Sequence, residues 1–519
     1  MNAPAVSASV LEALLTSREA FGLSEATNLQ RAICRVSDGV PIGDLWDDPG
    51  VKEGFGGVLP AAISPRILVI LAAIRGAKSM IAAAKAFETA LTCDVSGLQP
   101  GDELRIPVLS VDKDSAHQTF NHLVGTIQAK PHLRQHLAAE PTADSVLLRH
   151  QTGRIVEVKV TAMSKYGTTL VGRWLATCIF DEAPRMAGQE DGVRNLDDAL
   201  HAIAGRMRPG SQIMIIGSPN VPFGPVFEMN QEGFGRPSEK MVVVRGTGPL
   251  LNPTWWTPER CEWTRINAPR SYQTDVLGRF ADSEDQLFSS IVVDGCMRSG
   301  PEAIHPRPGH FYVAAIDPAM RGNAWTLVVV GCDGHDASGE PTYYVALSKQ
   351  WRGSKTAPLR PDIVLRQIAQ TVKPYGIEDI WSDGFHLDSL QVIAEQEGIS
   401  ISEAYSTQGD TIERAERLRV LLESKRLELS PDRTLRADLL RVRRKVNQKN
   451  TTLAMPVTAD GRHCDYVPAL GLCLAYPPPA PAVTTYQKDP GLAAAIAAVD
   501  AKNAPGHLAR NVFRSGLNG

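Results

Sequence analysis

The chain has no Cys-x-x-Cys pair, no surplus of charge of either sign and no long hydrophobic run. Its eight cysteines, at 34, 93, 178, 261, 296, 332, 464 and 473, follow no regular spacing. That argues against a disulfide framework or a zinc scaffold and for reduced thiols in a cytosolic compartment. The N-terminus lacks a basic leader, and the apolar run Ile67 to Ile74 is far too short to span a bilayer, so neither secretion nor membrane insertion is expected. A net charge of -3 over 519 residues means that any nucleic-acid contact must come from local basic patches. What remains is 43% hydrophobic and 21% charged, an ordinary globular composition long enough for two to four domains.

Short apolar runs alternating with helical patterns mark a mostly parallel α/β sheet over roughly 61–248, with strands predicted at 66–74, 105–112, 177–182, 213–218 and 241–246. The stretch 145–160 reads as an inserted hairpin turning at Gln151-Thr152-Gly153. Residues 1–60 form an N-terminal segment, and 249–307, with Trp255-Trp256, a helix over 271–278 and a Gly/Pro-rich run, form a subdomain and linker. A second α/β unit, 308–476, has strands at 311–317, 325–331 and 342–351 joined by short turns, then a helix and a strand at 377–383, which predicts a mixed sheet. The tail, 477–519, opens with PPPAPA and is expected to be flexible and suited to docking.

Leu71 to Met80, LAAIRGAKSM, sits between the first strand and a helix. It has the Lys78-Ser79 pair of a phosphate-binding loop but alanines, Ala72 and Ala77, where that loop has glycines. In this context Arg75, Gly76, Ala77, Lys78 and Ser79 would surround nucleotide phosphates at a helix N-terminus. Lys78 would hold the β- and γ-phosphates, and Ser79 would ligate Mg2+. Arg75 could reach a phosphate from the same subunit. Downstream, LATCIFDEA closes a hydrophobic strand with Asp181 and Glu182. Asp181 is placed to hold the Mg2+ shell and Glu182 to activate water, and Ser218, ending the strand IMIIGS, suits a loop that senses the γ-phosphate.

Two-metal phosphodiester cleavage needs carboxylates converging from separate elements. Asp317 closes the strand FYVAAID, Asp383 closes IEDIWSD, and Asp465 precedes an apolar helix. These three would bind Mg2+ or Mn2+ and act catalytically. Asp388 reads as a helix-face residue, and His463 is as much a loop histidine as a metal neighbour. A basic run, Arg436, Arg441, Arg443, Arg444, Lys445 and Lys449, falls on a helix and its exit within 435–450 and would attract DNA phosphates without reading sequence.

The Arg-containing AAIRGAKS, the FDEA element, the following IIGSP, the strand LSVDKDSAHQTF and the Asp317-Pro318-Ala319 to Asp465 trio together resemble the large terminase subunit of tailed double-stranded DNA bacteriophages, over roughly 60–476. The resemblance implies a P-loop ATPase domain of the ASCE/RecA-like class followed by an RNase H-like nuclease domain, and hence ATP-driven DNA packaging with cutting of concatemers. It implies adenine contact by an upstream glutamine, here Gln30 in ATNLQRAI, and a further acid after the first, where this chain has Asn323. It also implies work in the host cytoplasm, as a ring of subunits on the portal of a procapsid, with a small terminase subunit and double-stranded DNA as partners. Two other readings stay open: a helicase-like repair ATPase fused to a nuclease, and a weakened prophage relic that binds DNA or portal without turnover.

Overall fold

A computed structural model of the chain describes residues 8–111, 113–162, 173–186, 196–283, 285–319, 324–353, 357–383, 387–404, 407–446, 451–456 and 463–480. The flexibility expected of the tail beyond 480 lies outside them.

Three helices, α1 (Val10–Thr16), α2 (Asn28–Asp38) and α3 (Pro49–Gly54), precede the first sheet. That sheet contains β1 (Ile67–Ala72), β2 (Leu104–Ser110), β3 (Ser145–Arg149), β4 (Ile155–Ala162), β5 (Trp174–Leu175), β6 (Cys178–Phe180), β7 (Ile213–Gly217) and β8 (Met241–Gly246). Its order is β3-β4-β2-β6-β7-β1-β8, with the short β5 beside β2. Only the β3–β4 hairpin is antiparallel. Placing β7 between β1 and β6 is the strand order of the ASCE class of P-loop ATPase folds. It brings the ends of β1, β6 and β7 side by side.

The helices of this half are α4 (Lys78–Thr92), α5 (Lys113–Ala129), α6 (Pro131–Arg134), α7 (Leu196–Ala204) and α8 (Pro225–Gly233). The apolar runs are continuous because both faces of the sheet are covered. Leu68, Ile70 and Ala72 of β1 pack with α4 and with Leu11, Leu15, Leu29 and Ile33 of the N-terminal helices. Val69 and Leu71 face the other way, against Phe180, Ile213 and Ile215. The period-2 alternation of a strand therefore splits one hydrophobic run between two cores.

The connecting region carries α9 (Gly248–Leu251), α10 (Pro258–Asn267), α11 (Pro269–Ser271), a π-helical turn over Tyr272–Val276 and α12 (Ser290–Cys296).

The second sheet has β9 (Tyr312–Asp317), β10 (Ala324–His335), β11 (Pro341–Arg352), β12 (Asp379–Ser382), β13 (Ser400–Glu403) and β14 (Leu427–Glu428), in the order β13-β12-β9-β10-β11-β14. Strands β9, β10 and β11 are antiparallel, whereas β12 joins β9 in parallel, which is the mixed sheet expected from the sequence. Helices α13 (Pro361–Val372) and α14 (Leu387–Gln396) cover one face, where Ile316, Leu327 and Val329 meet Leu365, Ile368 and Leu390. On the other face lie α15 (Gln408–Glu423), α16 (Arg433–Arg441) and α17 (Tyr466–Ala475), where Ala315, Val328 and Val330 meet Leu418, Leu439 and Leu470. That second core also takes in Val293 of α12 and Val221 and Phe223 from the loop after β7, so the two halves share side chains.

The basic stretch 435–450, read as a helix and its exit, divides at Arg441. α16 stops at Arg441, and Arg443–Val446 (β15) instead pairs antiparallel with Thr451–Ala454 (β16). Val442 adopts an extended backbone and is fully buried, so the chain turns inward where helical periodicity would have carried it on.

Candidate nucleotide and metal sites

The loop after β1 is held through its own backbone, its amides by backbone carbonyls and its carbonyls by side chains. Ala73 N donates to Gly246 O (2.9 Å), and Ile74 N donates to Asp275 O (3.0 Å). The Ile74 carbonyl accepts from Trp256 Nε1 (3.1 Å), that of Arg75 from Asn252 Nδ2 (3.0 Å), and that of Gly76 from Gln30 Nε2 (3.2 Å). A Cβ on Gly76 would meet Leu251 Cδ1 at 2.8 Å and the Ala73 carbonyl oxygen at 3.0 Å, so a larger residue here would crowd the loop. Arg75 and Ala77 sit at positive φ, 63° and 64°. Ala77 therefore holds, at a cost of about 1–2 kcal/mol, the left-handed turn that glycine would hold freely.

Ala77 is the N-cap of α4 and supplies no side-chain acceptor, so the first amides of a 15-residue helix face the loop as an anion site. Lys78 opens the helix. Its Nζ donates to the Ala72 and Ala73 carbonyls and to Ser218 Oγ, each at 3.0 Å, with the side chain buried. Burial pulls its pKa down, against the attraction of Glu182, Asp181 and Asp275. Ser218 Oγ in turn donates to Ala72 O (3.1 Å), tying the end of β7 to the end of β1. Ser79 lies half-buried in the same first turn.

Asp181 follows β6 and is buried. It accepts from Thr119 Oγ1 (2.5 Å) and from Glu182 N (2.9 Å). Burial pushes its carboxyl up to about 6, with the Glu182 charge adding to the rise while the Thr119 and Glu182 hydrogen bonds and Lys78 oppose it. Glu182 has a left-handed backbone (φ 51°) and lies 3.4 Å from Arg185. Gln30 is placed under the loop: its Nε2 donates to Gly76 O and to Leu251 O (3.0 Å), and its Oε1 accepts from Thr27 N (2.8 Å) in a capping box. Arg75 lies with its guanidinium 5.3 Å from the ring centroid of Trp255.

In the second sheet three acids from distant parts of the chain come to one edge. Ser382 pairs with Ile316 across parallel strands, so Asp383 and Asp317 leave neighbouring strand ends together. Asp465 stands at the start of α17 beside them: Oδ2 accepts from Ala324 N (2.9 Å), Oδ1 from His463 N (3.1 Å), and its carbonyl from Thr326 Oγ1 (2.8 Å). Thr326 is the residue opposite Asp317 in the β9–β10 register. A fourth acid joins them. Asp438 of α16 is fully buried, and its Oδ2 accepts from Tyr466 N (3.3 Å), the first residue of α17. Burial holds the Asp317 carboxyl well above the usual carboxylate range, reinforced by the charges of Asp383, Asp465 and Asp438 in that order. An all-carboxylate set fits a hard divalent cation such as Mg2+ or Mn2+, which would relieve this repulsion. Among the described residues no three His, Cys, Asp or Glu side chains lie close enough together to hold one ion as they stand.

His463 is exposed and meets Asp465 through its backbone amide. Asp388 falls in the first turn of α14, and Asn323 lies outside the described residues.

Neither a family model nor a curated protein matches the chain. Among solved structures, the HK97 bacteriophage large terminase is similar, at 14% identity over 86% of this chain and 100% of that one, with a TM-score of 0.46. A large terminase from a thermophilic bacteriophage, in complex with ADP, is 12% identical over 79% of this chain and 94% of its own (TM-score 0.33). The large terminase nuclease from thermophilic phage G20c is 17% identical over 37% of this chain and 98% of its own (TM-score 0.30).

The basic run expected to face DNA is largely turned inward. Arg436 forms a two-pronged pair with Asp294 (2.6 and 2.9 Å), donates to Pro222 O (2.8 Å) and lies 5.0 Å over Phe227. Arg441 and Arg443 are buried over the Phe223 ring at 5.1 and 5.8 Å. Arg444 and Lys445 remain exposed, with Arg444 3.6 Å from Glu416, and Lys449 lies outside the described residues. These arginines join the two halves because the guanidinium stacks on aromatics and bonds carbonyls at once.

Sequence reasoning missed Thr119, Asn252, Asp275 and Asp438. Thr119 lies within the quoted LSVDKDSAHQTF, but only the packing of α5 on β2 brings it to Asp181. Asp438 was hidden among arginines.

Proposed function

We propose that this chain is the large subunit of a phage DNA-packaging motor, coupling ATP hydrolysis to translocation of double-stranded DNA and cutting concatemers with a divalent-metal nuclease. The observation that carries the proposal is that one chain gathers two separate acidic sites at strand ends. One stands beside a buried lysine at a helix N-terminus, and the other is built from Asp317, Asp383 and Asp465.

At the first site, Lys78 would exchange its three oxygen partners for β- and γ-phosphate oxygens, with the open amides of α4 completing the cradle. Ser79 and Asp181 would hold Mg2+, Glu182 would orient and deprotonate water, and Arg75 would swing from Trp255 to a phosphate. Mg2+ bound with ATP would neutralise phosphate charge.

Departure of Lys78 would remove one of the two hydrogen bonds of Ser218 Oγ, leaving that to Ala72 O, at the head of the loop reaching Val221 and Phe223 in the second core. Arg270 Nη2 grips Asn220 Oδ1 within that loop (2.9 Å), so a shift at Ser218 reaches the fasteners on Phe223. Nucleotide occupancy is thereby linked mechanically to the joint between the halves.

At the second site, divalent ions would activate water and stabilise charge on the phosphodiester. The chain's part is to hold Asp465 by two backbone amides and to present Asp317 and Asp383 from adjacent strands. The proposal includes a homo-oligomeric ring on the portal of a procapsid, a small terminase subunit as partner, and action in the host cytoplasm. Among the described residues no helix is long and apolar enough to cross a membrane.

The test is plasmid nicking in Mn2+ or Mg2+ alongside ATP hydrolysis, for the intact chain, Asp317→Ala, Asp383→Ala and Lys78→Ala. Loss of nicking in the aspartate variants with ATP turnover intact, and the reverse for Lys78→Ala, supports two engines in one chain. An intact protein that neither cuts nor hydrolyses with DNA and portal present overturns the proposal.

A further inference from the structure

We infer that the exposed indole of Trp255 is the stacking platform for the nucleobase of the bound nucleoside triphosphate. The inference rests on the nucleotide-site reading above.

A nucleotide whose phosphates enter the α4 cradle must place its base against a surface bordering the loop. Both Nε2 hydrogens of the buried Gln30 are taken by Gly76 O and Leu251 O and its Oε1 accepts from Thr27 N, so it braces the loop and has no hydrogen left to donate to a base. The loop sinks into the sheet at Ala72 and Ala73 and emerges at Ile74 and Arg75, both exposed. Trp255 stands at that emergent side, 41% exposed and in contact with Arg75.

Its position is fixed from behind. The Trp255 amide donates to Asn252 O (3.2 Å) and Oδ1 (3.1 Å), and the same Asn252 side chain holds the Arg75 carbonyl. Its neighbour Trp256 is buried and bonded to Ile74 O. One asparagine therefore holds both the loop and the backbone from which the indole projects.

The ring already accepts flat, delocalised groups: the guanidinium of Arg260 lies 4.0 Å from its centroid and that of Arg75 5.3 Å. A base presents the same kind of planar π surface. Arrival of phosphate draws Arg75 off the ring, which exposes indole surface as the base arrives, so the two ends of the nucleotide engage together.

The test is calorimetric binding of MgATP and of magnesium tripolyphosphate, which lacks a base, to the full chain and to Trp255→Ala, Trp255→Phe and Lys78→Ala. Base–aromatic stacking predicts that Trp255→Ala weakens MgATP about tenfold or more and leaves tripolyphosphate unchanged. Trp255→Phe, which keeps a ring, recovers most of the affinity. If Trp255→Ala weakens both ligands alike, or neither, the base is not on Trp255, and the inference falls while the phosphate site stands. If Lys78→Ala alters neither ligand, the phosphate site lies elsewhere and both readings fall.

Discussion

The two sheet-end sites bury ionisable groups in opposite ways. Around the loop after β1, Lys78 has three neutral oxygen partners, the backbone carbonyls from Ala72 to Gly76 accept bonds from side chains, and Asp181 has the Thr119 hydroxyl. Around the end of β9, carboxylate faces carboxylate, and the charges of Asp383, Asp465 and Asp438 all oppose ionisation of Asp317. A site that satisfies itself can release and rebind its ligand each turnover at little structural cost. A site under repulsion stores free energy that only a cation or a proton discharges.

The sharpest way to break this comparison is to remove the central group on each side. Lys78→Ala is expected to lower the ATP hydrolysis rate by about two orders of magnitude or more, since it deletes a preorganised charge aimed at phosphate. It should leave nicking in place. Asp317→Ala is expected to do the converse. A variant in which both activities fall together would show that the halves share one site or one fold-level defect, which melting curves would separate.

Next in size is the repulsion itself. Asp383→Asn removes a charge that opposes ionisation of Asp317, so the metal-free protein should melt a few degrees higher, on the order of 1 kcal/mol, while nicking is lost. The sign with pH follows from the raised Asp317 carboxyl. Protonation favours the folded state, so the stabilisation is full at low pH and is lost as pH rises through the folded value. The melting temperature in EDTA should fall over that rise, and the increment restored by Mn2+ should grow with it. An increment independent of pH would mean that the ion binds elsewhere.

A smaller effect is expected at Asp181, whose carboxyl titrates near about 6 in the nucleotide-free protein. Mg2+ ligation needs the anion, so MgATP affinity should fall as pH drops below about 6 and level off above it. Thr119→Val removes a hydrogen bond that favours the anion, which moves the fall to higher pH. Binding measured between pH 5 and 8, roughly bracketing the titration, checks both.

The same contrast explains what could be read in advance. Strands such as ILVILA and CIF are apolar throughout because helices cover both faces, so a strand reading stood apart from the turns around it. Asp317 and Asp383 stood out because each stands at the end of a short strand, YVAAID in one case and DIWS in the other. Groups brought in by tertiary packing gave no local sign: Asn252 and Asp275 reach the loop from nearly two hundred residues away, and Asp438 sits in a run whose arginines dominate its appearance. The same run hid where the helix ends, since LRADLLRVRRKV keeps helical periodicity past the point where Val442 turns into the core.

The smallest expected effect bears on how well the first site satisfies itself. Ala77 holds a left-handed backbone, φ 64° and ψ 18°, at about 1–2 kcal/mol relative to an unstrained residue. Ala77→Gly relieves that strain but gives the unfolded chain more freedom, worth about 0.4–1 kcal/mol in the other direction. The two partly offset, leaving a gain of roughly 0–1.6 kcal/mol, a shift of at most a few degrees in the melting temperature. A larger gain would mean that the loop is strained and held only by its neighbours. A loss would mean that the Ala77 methyl packs in the loop, and that alanine there suits the site in its own right.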